Sequence, residues 1–240
     1  MTSVGQISSK LFLYAFLVFG LGALACRAQA RIDPSLPEAP LPQKRAWFVS
    51  PGYGTVMDPD TPVPPLHAWQ KFQIAFDKMA SPSMLVRAGF ASAFDKGFGV
   101  GPFYGPGGRG FAQLVGYNAA NYASATLFTD AVLPVIFHQD PRYFRKGSGS
   151  IKSRVGWALR SEAVAYSDTG REMPNLAGML GFGMSAGLSA AYMPPENISF
   201  WKTMEGWGIK EAISSGFRVF GEFGGVDTVK KHLKPKFLRR

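Results

Sequence analysis

The chain has 240 residues, of which 46% are hydrophobic and 14% aromatic, and its formal net charge is +10 at pH 7. A disordered chain would be poor in apolar and aromatic residues, so this composition excludes disorder over most of the length. The single cysteine, Cys26, lies at the end of an N-terminal apolar segment. Removal of that segment would also exclude disulfides, cysteine-ligated metals and thiol nucleophiles.

The N-terminal segment has the layout of a secretory signal. Lys10 precedes an apolar run over residues 11–25, and residues 28–30, Ala-Gln-Ala, offer the small-x-small pattern that signal peptidase cuts. A charged region, an apolar region and a small-residue site in this order are typical of export signals. We therefore expect residues 1–30 to be removed and the protein to work in the cell envelope, in the periplasm or associated with a membrane.

The next segment is rich in proline. Residues 31–65 contain nine of the 18 prolines. Proline lacks a backbone N–H and biases the preceding residue toward extended conformations, so this segment is predicted to be an extended arm rather than a domain.

Helical spacing begins after the arm. Apolar side chains recur at intervals of three and four from Trp69 to Met79, which predicts an amphipathic helix. Further helices are predicted from Pro82 to Phe94, over 110–137 with a kink at Pro134, over 151–166, over the uncharged segment 173–195, and from Trp201 to Phe220; residues 110–129 are also uncharged. The glycine-rich segment 97–110 is predicted to interrupt the helices, and Asp168-Thr169-Gly170 to form a turn. The predicted fold is all-α, a helical bundle over residues 66–225 followed by a basic tail over 226–240.

Small residues recur at every fourth position in two of these helices. Such residues lie on nearly one helical face and let a neighbouring backbone approach closely, within the bundle, in a homo-oligomer or against lipid. The two uncharged segments also reach the roughly 20 residues that cross a bilayer core, which leaves open whether they span a membrane or form a soluble core. The predicted helix-packing residues are Gly108, Ala112, Gly116, Ala120, Ser124, Gly183, Gly187 and Ala191, beside a second row of Ala177, Gly181, Ser185 and Ser189.

Basic residues are concentrated in two segments. Residues 138–160 carry six basic residues against one acidic residue, and the tail from Asp227 carries the same balance. Each basic residue near an anionic membrane surface contributes about 1 kcal/mol to the free energy of membrane binding. These clusters therefore favour membrane lipids or anionic envelope polymers as partners, and not nucleic acid. The alternative is that the basic residues form a solvated face. The predicted anionic-surface-binding residues are Arg142, Arg145, Lys146, Lys152, Arg154, Lys230, Lys231, Lys234 and Lys236.

The densest polar cluster begins at His138. In a catalytic interpretation, His138 and Asp140 form an acid–base pair, while Arg142 and Arg145 clamp an anionic substrate. In a structural interpretation, His138 complements a helix C-terminus and Asp140 caps the following turn. The cluster supplies too few ligands for a metal, and no cofactor is predicted.

A serine in the second uncharged segment matches a hydrolase motif. Residues 183–187, Gly-Met-Ser-Ala-Gly, have the nucleophile-elbow pattern, and Asp227 and His232 follow in the order of an α/β-hydrolase triad. That motif requires a strand, a sharp turn and a helix, whereas Ser185 lies within a predicted helix. We therefore expect Ser185 to be structural.

Several short motifs resemble those of an uncharacterised family of secreted bacterial proteins. They are the proline-rich arm, Lys71-Phe72-Gln73, the segment from His138 to Arg145, Asp168-Thr169-Gly170, and the segment from Ala190 to Pro195. The resemblance covers residues 62–225. It implies no activity, cofactor or catalytic residue, because that family has no assigned activity.

These features favour a structural or interaction role at the membrane. The alternative is an envelope hydrolase or small-ligand-binding enzyme centred on His138, Asp140, Arg142 and Tyr143. A third possibility is a helical module that binds an apolar ligand between its helices, in a cavity lined with phenylalanine.

We expect the mature protein to begin at Arg31, because signal peptidase would cut after Ala30. Intact-mass measurement of protein purified from the cell envelope checks this directly. An acylated N-terminus at Cys26 would instead identify a lipoprotein, since residues 22–26 loosely resemble a lipobox. A chain that retains residues 1–30 would contradict both.

Overall fold

The computed structural model describes residues 32–36, 55–56 and 62–223. The predicted signal, most of the arm and the basic tail with Lys230, Lys231, Lys234 and Lys236 lie outside the described residues. Asp227 and His232 lie outside them as well.

Helices make up most of the described chain, as predicted. They are α1 (Ala68–Ala80), α2 (Pro82–Phe98), α3 (Gly107–Leu127), α4 (Leu133–Ile136), α5 (Ile151–Ala163), α6 (Leu176–Ser189) and α7 (Phe200–Glu222). A short 3₁₀ turn at Pro195–Asn197 precedes α7.

Local sequence explains several of the helix ends. Ser81 caps α2, with Pro82 in its first turn, and Gly99 ends that helix at a φ of 65°, a left-handed conformation that glycine adopts without strain. A π-helical turn, Phe128–Val132, joins α3 to α4. It lies immediately before the predicted kink at Pro134, where the wider turn accommodates a residue without an N–H.

The expectation of an all-α fold is wrong in detail, because the structure also contains short strands. β1 (Thr55–Val56) pairs in parallel with β3 (Tyr143–Phe144), and β2 (Gln139–Asp140), β4 (Val164–Ser167) and β5 (Glu172–Pro174) form an antiparallel sheet in the order β2-β4-β5.

The helix predicted over 151–166 therefore ends at Ala163. Val164 and Tyr166 favour the strand that follows, β4. This strand pairs with β2 and β5, and the hydrogen bonds of that pairing replace those that a further helical turn would form. The predicted turn at Asp168-Thr169-Gly170 is confirmed as the connection between β4 and β5. Gly170 adopts a φ of 80° there, and its N–H donates to the carbonyl of Ser167 at 2.9 Å.

The two described ends of the arm are held against the sheet. Ile32 forms a β-bridge with Val63 and is buried with Tyr143, Trp157 and Tyr166. These contacts agree with an arm that straps onto the body.

Of the two rows of small residues on α6, only the row from Ala177 to Ser189 packs within the chain. Gly181 lies against the π turn, where an added Cβ would stand 2.7 Å from Cγ2 of Thr129 and 3.1 Å from its backbone nitrogen. In the same row, Ser185 is fully buried and its Oγ lies 2.7 Å from that of Ser124 on α3. The row from Ala177 to Ser189 is thus the α6 surface that contacts α3 and the π turn.

The other predicted packing residues, Ser124 excepted, do not form such a surface within the chain. A Cβ added at Gly108, Gly116, Gly183 or Gly187 would meet nothing within 4 Å, and Ala112, Ala120 and Ala191 are exposed. The reason is geometric, since opposite faces of one helix cannot contact the same neighbour. Contact of these residues with another copy or with lipid stays a prediction.

Among the described residues, no helix combines the length and the apolar character that crossing a membrane requires.

We expect Gly181→Ala to destabilise the fold by about 1–3 kcal/mol, because the new methyl group would overlap the backbone of the π turn. Gly187→Ala is the matched control on the same helix. It should stabilise the fold by roughly 0.5–1 kcal/mol, since alanine favours the helix and the space is open. Denaturant unfolding measures both, and equal effects would contradict the assignment of the packing face.

Candidate functional site

The predicted acid–base pair is not assembled. The His138 side chain is 85% exposed, and its Nδ1 lies 4.0 Å from Oδ2 of Asp168. The Asp140 side chain is fully buried and accepts hydrogen bonds from Arg142, at 3.0 Å from Nε to Oδ1 and 2.6 Å from Nη2 to Oδ2. No hydrogen bond or ion pair joins His138 to Asp140 in the described part of the chain.

Arg142 binds the chain itself rather than presenting an open clamp. Besides its contacts with Asp140, its Nη2 donates to the carbonyl of Pro64 at 2.8 Å. The ion pair therefore fastens the end of the proline-rich arm to the sheet. The contacts of Asp140 and Arg142 agree with the structural interpretation of this cluster.

Glu222, at the end of α7, binds the remaining members of the cluster. Its Oε2 accepts hydrogen bonds from the Tyr143 hydroxyl at 2.7 Å and from the Lys146 N–H at 2.9 Å. Its Oε1 accepts from the Gly147 N–H at 3.0 Å and from Nε of Arg154 at 3.0 Å. Sequence reasoning missed Glu222, because its partners lie about 70 to 80 residues earlier in the chain.

The backbone carbonyl of Glu222 extends this network. It accepts hydrogen bonds from Nε of Arg145 at 2.6 Å and from Nη2 of Arg154. Arg142, Arg145 and Arg154, predicted to bind an anionic surface, are thus bonded within the chain. Lys152 has an exposed side chain, and its surface role stays a prediction.

Hydrogen bonds decide the ionisation of this buried carboxyl group. Burial acts to raise the pKa of Glu222, but the hydrogen bonds from Tyr143, Lys146, Arg154 and Gly147 outweigh burial and hold that pKa below its usual value. Burial and the bond to a carboxylate raise the pKa of Tyr143 far above its ordinary range, so its hydroxyl stays protonated.

Ser185 lies within a helix, as expected. It lies inside α6 rather than on a strand–turn–helix elbow, and its Oγ is 3.2 Å from the carbonyl oxygen of Asn121. With the partner Ser124 at 2.7 Å, this hydroxyl links α6 to α3.

Two motifs that carry the family resemblance meet in the interior. Lys71, 2% exposed, donates from Nζ to Oδ2 of Asp168 at 2.8 Å and to the Pro134 carbonyl at 3.1 Å. The Asp168 N–H in turn donates to the His138 carbonyl at 2.9 Å. These residues connect α1, α4 and the sheet, and they do not form an open site.

An open site exists elsewhere, in a cavity of about 810 Å³. Residues from α2, α3, the π turn, the sheet, α5, α6 and α7 line it. Its apolar wall includes five phenylalanines, Phe90, Phe94, Phe144, Phe182 and Phe217. Of the predicted catalytic residues, Asp140, Arg142 and Tyr143 contribute to its lining and His138 does not.

Most charged residues of the cavity wall are already paired. The ion pairs at the wall are Lys78–Asp130, Arg142–Asp140, Arg160–Glu172 and Arg218–Glu162. Burial raises the pKa of Glu162, and Arg218 opposes that shift. Two charged residues of α2, Arg87 and Asp95, line the cavity without a partner of opposite charge among the described residues.

Arg87 and Asp95 are held by uncharged neighbours. The Arg87 guanidinium lies over the Phe217 ring, 4.3 Å from its centroid, and 5.6 Å from that of Tyr122. Oδ2 of Asp95 accepts a hydrogen bond from Nδ2 of Asn118 at 2.8 Å. Burial raises the pKa of Asp95, and the Asn118 hydrogen bond opposes that shift. Sequence reasoning missed both residues, although two opposite charges eight positions apart on one predicted helix are a visible signal.

Within the described ranges, no group of three or more histidine, cysteine, aspartate or glutamate side chains is arranged to hold a metal ion.

No family model matches the chain, and comparisons with curated proteins and with solved structures found no match. The resemblance to a family of secreted proteins stays a prediction.

We expect Glu222→Gln to lower the free energy of unfolding by about 1.5–3 kcal/mol at neutral pH, because it removes the charge that Arg154 and the loop N–H groups bind. A carboxyl with a lowered folded pKa stabilises the fold above its unfolded pKa, about 4.3, and this contribution is lost as the pH falls through the folded pKa.

Unfolding measured between about pH 6 and pH 3 should therefore show a steeper loss of stability for the unmutated protein than for Glu222→Gln. Parallel pH profiles for the unmutated protein and Glu222→Gln would show that this carboxylate is not held by its hydrogen bonds.

Proposed function

We propose that this protein is an exported binding protein that takes a small amphipathic ligand into the cavity between its helices. The observation that carries the proposal is the cavity itself, about 810 Å³ with a phenylalanine-rich wall and two charged groups that have no ion-pair partner among the residues the structure describes. Ligand sites are typically concave, about 300–1,000 Å³ in volume, mostly apolar and equipped with a few polar groups.

The wall of the cavity supports this proposal over catalysis. Asp140, Arg142 and Tyr143 are occupied by hydrogen bonds to Pro64 and Glu222 or to one another, and the exposed His138 lies outside the lining. When a ligand replaces water against the phenylalanine side chains, binding is favoured by about 25 cal/mol for each Å² of apolar surface removed from water. Binding thus requires no reactive group.

We expect Ala91→Trp to weaken binding of the neutral fluorescent probe N-phenyl-1-naphthylamine at least about tenfold, because the indole would fill the cavity beside α2. Ala93→Trp adds the same side chain on the exposed side of the helix and should leave binding unchanged. Fluorescence titration measures both. Equal affinities for the two variants, or no binding by the unmutated protein, would overturn the proposal.

A second candidate function is the interaction role at the membrane that the sequence favours. The supporting observation is an exposed apolar row on α6, about 100° around the helix from the row that contains Ser185. Its members Leu176, Leu180, Met184 and Leu188 are 36–49% exposed. They lie within the uncharged segment 173–195. Soluble proteins rarely expose large contiguous apolar patches without a partner, and we propose membrane lipid as the partner here.

We expect Leu180→Glu to reduce co-sedimentation with phosphatidylglycerol-containing vesicles severalfold, because a carboxylate on this face opposes contact with lipid. Ile151→Glu, which changes an even more exposed apolar residue of α5, is the control and should sediment like the unmutated protein. Unchanged sedimentation of Leu180→Glu would contradict lipid contact. Loss of dimers with unchanged sedimentation would assign the row to a second copy.

A further inference from the structure

The two charged residues of α2 that line the cavity, Arg87 and Asp95, are too far apart to form an ion pair with each other. Residues three or four apart on a helix are neighbours, whereas Arg87 and Asp95 are eight apart, about 12 Å along the axis. They therefore cannot bind each other, although both line the same cavity. Ala91 lies midway on the same face, and its small side chain leaves the space between the two charges open.

Arg87 has unused hydrogen-bonding capacity. Its guanidinium faces the rings of Phe217 and Tyr122, and no N–H of its side chain is hydrogen-bonded to another residue in the described part of the chain. A guanidinium covered on its face still presents N–H groups along its edge, the geometry that binds a carboxylate or phosphate through two bonds. Stacking against aromatic rings also orients the group before a ligand arrives.

Asp95 has complementary unused capacity. Asn118 donates to Oδ2 at 2.8 Å, and Oδ1 accepts no hydrogen bond from a described residue. Asn118 also donates to the Ser92 hydroxyl at 3.0 Å, which fixes the amide and the carboxylate that it holds. A partly buried carboxylate without a cationic partner is costly, and a ligand ammonium group would remove that cost.

We infer that the cavity recognises an elongated zwitterionic amphiphile from both ends, with its anionic group bound by Arg87, its ammonium group bound by Asp95, and its apolar body lying along Ala91 and the phenylalanine wall. This inference rests on the proposed binding function and adds the ligand class. Phe90 and Phe94, on the same helix, line the path between the two charges.

The test compares three probes of one chain length with the full-length mature protein. The probes are 12-aminododecanoate, dodecanoate and dodecylamine, each measured by displacement of N-phenyl-1-naphthylamine. We expect 12-aminododecanoate to bind the unmutated protein more tightly than either singly charged probe, because it alone places opposite charges at the two ends of a chain long enough to span about 12 Å.

Two near-isosteric variants assign the ends. Arg87→Met should weaken 12-aminododecanoate and dodecanoate about tenfold or more and leave dodecylamine nearly unchanged. Asp95→Asn should weaken 12-aminododecanoate and dodecylamine by a similar factor and leave dodecanoate nearly unchanged. Both variants should keep the affinity of the unmutated protein for the neutral fluorescent probe, which shows that the cavity is intact.

The outcomes separate this inference from the function on which it rests. If the neutral probe binds and Ala91→Trp blocks it, but neither charge variant discriminates among the three chains, two-ended recognition is wrong and the binding function stands. If the neutral probe does not bind the unmutated protein, the binding function fails. A loss of neutral-probe binding in Arg87→Met alone would assign Arg87 to the support of Phe217 and overturn its role as an anion ligand.

Discussion

Buried charges that must find partners hold the helices of this protein to its small sheet. Lys71 binds Asp168 across 97 positions of the chain, and Glu222 binds Arg154 across 68. Removing one partner of such a pair leaves a largely buried charge uncompensated, so each pair disfavours alternative arrangements. The packing of α1 near the sheet and the attachment of the end of α7 to the loop after β3 both depend on this constraint.

The same constraint distinguishes the charged residues of the cavity wall that are paired from Arg87 and Asp95. Most charged side chains that line the cavity have a partner within the chain, including Arg142, which the sequence offered for anionic surfaces. Arg87 and Asp95 differ, because they lie too far apart on α2 to bind each other and have no partner of opposite charge in the described ranges. These two charges are therefore the ones to which we propose that a ligand binds.

Part of the fold could be predicted from particular residues. The proline at 82, the glycine at 99 and the turn at 168–170 act through local backbone preferences, and the structure confirms the elements that they predict. The helix expected over 151–166 ended at Ala163 instead, because strand pairing competed with helical propensity. The hydrogen-bond partners of Arg142 and Tyr143, Pro64 and Glu222, could not be predicted because they lie far away in sequence.

The sequence by itself determined where most helices lie and that the chain has a single cysteine, Cys26, because spacing and composition can be read from the chain without its contacts. Only the tertiary structure decided which row of small residues on α6 packs, which acid binds the arginines near β3, and that a cavity opens beside α2. Those outcomes depend on contacts between segments tens of residues apart. Periodicity identifies a face of a helix, but only packing determines what that face meets.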